Sequence, residues 1–274
     1  MPTRVLHLSD LHFGARGALR DPAVERAVAA LVEHVDPALV VATGDLTHRG
    51  RRDQHEAAAR FLRSLGPPLL VVPGNHDIPP LPPARFGSTW REFRRQWQTT
   101  HPVVAVPGVY AVGVNSVRPW RHQSGGVRDG QLDEVARRLS EAEPGALRLV
   151  ALHHQLVGAP WRTRKRPVAR RSHVLERLVE AGAELIVGGH VHQATVSERR
   201  EFEAVEAGAP GAVVATAPGL GRPRPRRRGE ARGLLVYSVD ERRIRVETST
   251  WRDEAWELTA LRVFARGREP LAPS

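Results

Sequence analysis

The chain has 274 residues, no cysteine and a formal net charge of +11, from 41 Lys and Arg against 30 Asp and Glu. That length can bury a substantial core, and the missing thiols exclude disulfides and thiolate metal sites. The apolar runs are strand-sized, far short of a membrane span, and the opening MPTRVLHLSD has no apolar signal region, so a soluble, cytoplasmic protein is expected.

The first half alternates strand and helix patterns. Residues 5–8 read as a strand. Asp21-Pro22 then opens a helix carrying Val24, Val28, Leu31 and Val35 at helical spacing. A strand at 38–42 precedes a helix over 52–65, with Ala58, Phe61, Leu62 and Leu65 inward. Strand 69–72 leads into a Pro-rich loop at 79–88, and Phe93 and Trp97 place a short helix near 88–98. Strands follow at 103–106 and 110–115. The helix at 129–142 has Leu132, Val135, Ala136 and Leu139 as its stripe. Strand 147–152, a helix at 172–181 and strand 184–187 complete this pattern. After His192 the chain is mainly strand, at 194–197, 212–215, 234–239 and 244–247. The tail 251–274 contains Trp251, Trp256, Leu258, Leu261 and Phe264, which are expected to pack on the body. The residues alone indicate α/β with a mixed sheet. We expect one domain over 1–274, with a motif core at 4–192, strands through 193–250 and the tail after them.

Five polar motifs follow five of these strands: Asp10-Leu11-His12, Gly44-Asp45, Gly74-Asn75-His76-Asp77, His153-His154 and Gly189-His190-Val191-His192. The carboxyl edge of an α/β sheet is where ligands bind. Asp, Asn and His offer oxygen and nitrogen donors, a set suited to Mn, Fe, Zn, Ni or Co. On an extended segment, residues i and i+2 share a side. Asp10 with His12, and His190 with His192, can therefore reach one centre.

These blocks resemble the calcineurin-like metallophosphoesterase superfamily. The runs TGDLTHRG, VPGNHDIP, GVNS and GQLDEVARRL are similar to its bacterial cyclic-nucleotide phosphodiesterase-like branch. The resemblance implies a four-layer αββα sandwich of two mixed β-sheets flanked by helices. It implies two metal ions, one held by Asp10, His12, Asp45 and His192, the other by Asp45, Asn75, His153 and His190, with Asp45 bridging. It further implies hydrolysis of a phosphodiester, such as a cyclic nucleotide or another small diester, by in-line attack of a metal-bound hydroxide. His76 matches the family's non-ligand histidine, expected to protonate the leaving alkoxide, and Asp77 is expected to orient its ring. His154, Arg49 and Asn115 are candidates for substrate contact. His48 departs from the Asp that precedes the comparable Arg in the protein Ser/Thr phosphatase branch. His7, alternating with apolar residues in the first strand, is expected to be packed.

The positive charge is clustered. Segments 160–171 and 222–232 hold six basic residues each, which leaves 29 Lys and Arg against 30 Asp and Glu elsewhere. Such segments can steer a small anionic phosphoester or track a nucleic-acid backbone. A nuclease is thus the runner-up to a small-molecule phosphodiesterase, with a phosphomonoesterase beside it. A non-enzymatic metal-binding scaffold ranks lower because every ligand position is filled. The resemblance is also compatible with a homodimer.

Overall fold

The computed structural model describes residues 2–15, 22–121, 123–159, 165–203, 211–221 and 231–266. The order begins β1 (Thr3–Leu8), α1 (Pro22–Val35), β2 (Leu39–Ala42), α2 (Arg52–Ser64) and β3 (Leu69–Val71). Next come α3 (Ala84–Gly87), α4 (Arg91–Trp97), β4 (Val103–Val106), β5 (Val109–Val114), α5 (Asp129–Leu139), β6 (Leu147–Leu152), α6 (Arg171–Glu180) and β7 (Leu185–Gly188). After these come β8 (Thr195–Glu198), β9 (Val213–Thr216), β10 (Gly233–Val239), β11 (Arg243–Arg252) and β12 (Ala255–Ala265).

Among the described residues, the strands form two six-stranded sheets, ordered β12-β11-β10-β1-β2-β3 and β4-β5-β6-β7-β9-β8. Both are mixed. In the first, β1, β2 and β3 are parallel and β10 runs against β1. In the second, β5, β6, β7 and β9 are parallel, with β4 and β8 as antiparallel edges.

Strand alternation explains the layers. Strands covered on both faces read as nearly continuous apolar runs. Val5 joins a core between the sheets that includes Leu39, Val41, Leu149, Leu185, Leu235 and Tyr237. Leu6 and Leu8 face the other way, onto Val24 and Val28 of α1 and Phe61 and Leu62 of α2. On the far side of the second sheet, Val150, Leu152 and Ile186 meet Leu132 and Val135 of α5 and Leu175 and Leu178 of α6. The result is the four-layer sandwich of two mixed sheets between helices.

Two segments differ from expectation. The loop at 79–88 contains α3, and the helix expected near 88–98 starts at Arg91. The tail differs more. Residues 255–265 form an edge strand, β12, paired with β11 as a hairpin. Asp253 and Glu254 turn this hairpin with φ of 44° and 61°. Two successive left-handed residues match the twist of the flanking strands, but Asp-Glu lacks the Asn-Gly or Asp-Gly signature that announces such a turn. Trp251 packs on Trp256 at 5.0 Å between ring centroids, and the Trp256 indole donates to the Ala27 carbonyl at 3.1 Å. Phe264 is buried in the core, whereas Leu258 and Leu261 are 57% and 47% exposed and do not pack on the body as expected.

His7 is fully buried between the sheets. Its Nδ1 lies 2.8 Å from the Tyr237 hydroxyl and its Nε2 lies 2.9 Å from Thr43 Oγ1. Burial lowers its pKa from 6.5 to about 3, against a smaller raising effect from Asp10. The unfolded chain therefore binds a proton that the folded chain refuses. His7's contribution to stability is fully present above pH 6.5 and drains away as pH falls from 6.5 towards 3. Replacing His7 with Gln should flatten the acid slope of unfolding free energy by up to about 1.4 kcal/mol per pH unit in that window. Urea unfolding at a series of pH values checks this; parallel slopes for the two proteins would refute it.

Candidate active site

The carboxyl ends of β1, β2, β3, β6 and β7 bring the five motifs to one edge of the sandwich. The backbone achieves this with turns, which corrects the extended-segment reading. Asp10, His12, Asp45, His190 and His192 all have positive φ, at 54°, 49°, 50°, 73° and 58°. Non-glycine residues in this region are uncommon and cost about 1–3 kcal/mol each, and they concentrate at functional sites. Each pair converges because left-handed residues fold the loop back over the strand end. Glycine is required where two such loops touch. A Cβ on Gly74 would sit 2.1 Å from the Asp45 nitrogen, and one on Gly189 would sit 1.8 Å from Ser9 Oγ.

Hydrogen bonds at the rear of each side chain determine which atom faces the centre. His153 Nδ1 lies 2.7 Å from the Thr43 carbonyl, so it carries the proton and donates. Its Nε2 is left as a lone-pair donor, 3.1 Å from Asn75 Oδ1, 3.4 Å from Asp45 Oδ1 and 3.1 Å from His190 Nδ1. His190 is turned the other way: its Nε2 donates to the Gln123 carbonyl at 3.0 Å, which leaves Nδ1 facing the centre. Asp10 Oδ2 accepts from Ser9 Oγ at 2.7 Å and from the His190 N–H at 2.9 Å. Its Oδ1 faces His192 Nε2 at 2.9 Å and His12 Nε2 at 3.8 Å. His12 Nε2 is also 3.2 Å from His192 Nε2 and 3.8 Å from Asp45 Oδ2. The donor atoms thus fall into two groups, and Asp45 presents one carboxylate oxygen to each.

Asp10 and Asp45 are completely buried. Burial pushes both pKa values up, but neighbouring histidines, His192 for Asp10 and His153 for Asp45, outweigh it and hold both carboxyls low. Burial also lowers His12 to about 3 and His154 and His190 well below their ordinary value. At neutral pH two buried carboxylates therefore share the centre with His12, His154 and His190 in their uncharged form. Buried charge of this kind is stable only when paired or coordinating a metal. Asp10 Oδ1, Asp45 Oδ2 and His12 Nδ1 are buried without a hydrogen bond, and the sets Asp10, His12, His192 and Asp10, Asp45, His153 are each compact enough to hold an ion. Orphaned carboxylate oxygens beside unprotonated imidazole nitrogens fit divalent ions of the Mn, Fe or Zn type.

The other expected residues divide. His76 stands at the centre's rim, its ring 5.0 Å from that of His12. Its Nδ1 donates to the His48 carbonyl at 2.9 Å, so that carbonyl, and not Asp77, orients the ring. Asp77 instead accepts from the backbone N–H groups of Leu46 at 3.2 Å, Thr47 at 2.8 Å and Gly74 at 2.8 Å. It fastens the second motif loop to the third. Asn115 is likewise a turn residue: its Oδ1 accepts from the Val117 N–H at 2.9 Å. His154 is buried behind the centre, with Nδ1 2.9 Å from Ser116 Oγ and Gly125 packed against its ring. Arg49 is exposed.

Other contributors belong to no sequence motif. Gly219 borders Asp10 and His192, and the N–H groups of Leu220 and Gly221 donate to the Ser9 and Asp10 carbonyls, both at 2.9 Å. Lys165 donates to the His190 carbonyl. Residues 160–164 and 222–230, most of the two basic segments, lie outside the described residues.

The sequence pattern of the calcineurin-like phosphoesterases matches residues 3–194. The chain belongs to this family. It is therefore a phosphoric ester hydrolase of a family that uses divalent metal ions. A probable cyclic nucleotide phosphodiesterase of Synechococcus is 27% identical over 210 residues, covering 73% of this chain and 77% of that protein. One from Rhodopseudomonas palustris is 32% identical over 154 residues, covering 54% of this chain and only 55% of the relative. The crystal structure of a dimetal phosphatase from Danio rerio shares the fold with a TM-score of 0.62 at 15% identity, covering 90% of this chain and 96% of that one.

Asp77→Ala separates fastening from catalysis. It strands up to three backbone N–H groups, each worth on the order of 1–3 kcal/mol. The variant should melt earlier and hold metal less tightly while keeping the wild-type preference between alkyl and aryl esters. Thermal unfolding and metal titration read the first effects. A changed leaving-group preference would return Asp77 to the catalytic machinery.

Proposed function

We propose that this calcineurin-like phosphoesterase is a dinuclear phosphodiesterase acting on a small anionic diester, of which cyclic nucleotides are one class. The observation that carries this reading is the split Asp45 carboxylate. Oδ2 looks towards His12 and Oδ1 towards His153, at 3.8 and 3.4 Å. One carboxylate between two donor groups is the arrangement expected of a bridging ligand. Asp10, His12, Asp45 and His192 would hold one ion, and Asp45, Asn75, His153 and His190 the other. Two divalent ions held there would supply Lewis acidity, a water of lowered pKa and a clamp for the attacking and leaving oxygens.

The chain's own residues set the remaining terms. Two ions carry +4 and the two carboxylates −2, so the loaded centre attracts a phosphoester anion. The strand-end turns hold the donors in fixed directions, which removes reorganisation from the reaction. With Nδ1 committed to the His48 carbonyl, His76 keeps Nε2 for proton transfer to a leaving oxygen. The similarity to probable cyclic nucleotide phosphodiesterases supports the diester class. We take residues 1–274 as one domain, since the two sheets share a single core between them. Among the described residues, no helix is long and apolar enough to cross a membrane.

A chelator should abolish turnover and lower the melting temperature, and Mn should restore both. Asp45→Ala should lose both ions and all turnover, whereas Asn75→Ala should weaken one ion. Metal counting with a panel of mono- and diesters, including cAMP and single-stranded DNA, tests the reading. Full activity in Asp45→Ala would remove the site assignment, and cleavage of DNA in preference to small diesters would favour a nuclease.

A second test concerns His76. His76→Ala should keep its metal content. It should slow alkyl esters by about 10²–10⁴-fold and aryl esters far less, because only the alkoxide needs a proton on departure. Equal losses on both esters would exclude the acid role.

A further inference from the structure

Lys165 is the sole lysine among the 41 Lys and Arg residues. It belongs to none of the five motifs, yet its ammonium reaches their centre. The reach is built into the backbone. The Val168 N–H donates to the Gln155 carbonyl at 3.1 Å, and the Ala169 N–H donates to the Gly125 carbonyl at 3.0 Å. Val168 itself is 2% exposed in the core beneath α5 and α6. These contacts tie the returning segment to the end of β6 and to the loop after β5. From that anchor the half-buried Lys165 donates through Nζ to the carbonyl of His190. Its charge is felt by Asp10, His154 and His190.

Lysine suits this position for a physical reason. Its ammonium is a compact point charge on a flexible four-carbon stem, able to extend between neighbouring groups. Beside two buried carboxylates it is a counter-charge. Once the two ions are in place the balance reverses: the centre becomes net positive, and the ammonium is best stabilised by an anion drawn to the same edge. A phosphoryl group is such an anion, and it gains negative charge as the nucleophile arrives.

We propose that Lys165 is a phosphate-binding residue of the active centre, its ammonium contacting a non-bridging phosphoryl oxygen of the substrate. The proposal rests on the phosphoesterase centre described above. It adds a ligand contributed by the chain to those contributed by the ions.

The test uses the full chain loaded with Mn. Lys165→Met keeps much of the apolar stem and removes the charge; Lys165→Gln removes the charge and keeps a polar end. Three quantities are measured for each: bound Mn per chain, melting temperature, and affinity for inorganic phosphate by calorimetry. KM and kcat for an aryl phosphodiester are measured alongside. Phosphate affinity should fall by about tenfold or more in both variants, the size of one charge-assisted hydrogen bond. KM should rise by a similar factor, with bound Mn and melting temperature unchanged. Unchanged phosphate affinity in either well-folded variant would overturn the proposal. So would a loss of Mn in step with the loss of phosphate, because Lys165 would then be supporting the ligand loops. A wild-type chain that binds phosphate through Lys165 but cleaves no ester would sink the diesterase reading and leave the phosphate site standing.

Discussion

Two carboxylates buried at the ends of adjacent parallel strands set the conditions for everything at this edge. Asp10 follows β1 and Asp45 follows β2, and neither side chain reaches solvent. Removing such groups from water costs several kcal/mol per ion unless a cation or a dense set of donors replaces the water. The protein supplies part of the replacement. Ser9, the His190 N–H and the His76 N–H each donate to one of the two carboxylates. It leaves one oxygen of each residue without a hydrogen bond. Three of the surrounding imidazoles, His12, His154 and His190, offer no positive charge to the pair, because burial keeps them uncharged. A site that keeps two buried carboxylates with three of its imidazoles uncharged is prepared for cations from outside.

The sandwich explains how so many donors reach one point. Asp10, Asp45 and Asn75 come from the first sheet; His153 and His190 come from the second. Packing the sheets through Val5, Val41, Leu149 and Leu185 aligns their carboxyl edges. His153 of the second sheet is then held to the first sheet's backbone by its bond to the Thr43 carbonyl, at 2.7 Å. The two halves of the site are joined by this contact and by the bond from the His190 N–H to Asp10. A movement of one sheet against the other would break both groups of donors at once. The core between the sheets thus helps to fix the geometry of the donors.

Much of this was legible in the sequence, and the limits have physical causes. Strands covered on both faces are short apolar runs, and Val5, Val41, Leu149 and Val187 stand out as such. The motifs stand out because polar residues at the end of an apolar strand have no packing reason to be there. Residues placed by tertiary contact are silent. Asn115 and His154 carry the right chemistry beside the right strands, yet Asn115 closes a turn and His154 is buried against Ser116 and Gly125. Asp77 sits next to His76 in sequence, but its carboxylate points under the loop to the Leu46, Thr47 and Gly74 nitrogens. Adjacency cannot show which way a side chain turns. Lys165 was visible only as one member of a basic run, and the β11–β12 hairpin was hidden by a turn made from Asp253 and Glu254.

The left-handed backbone at Asp10, His12, Asp45, His190 and His192 connects the site to the stability of the whole chain. Five strained residues and two buried carboxylates oppose folding, and the opposition is concentrated at one edge. The remedy is local as well: ions that bind the folded donors and not the unfolded chain return stabilisation by mass action. The strain also keeps those donors from relaxing into the ordinary extended backbone that would point alternate residues away from the centre. Glycines 74 and 189 make the arrangement possible by letting loops approach within distances that no Cβ tolerates. The edge is therefore least stable in itself where it is most exactly shaped for binding, and it relies on the apolar layers behind it to hold that shape until the ions arrive.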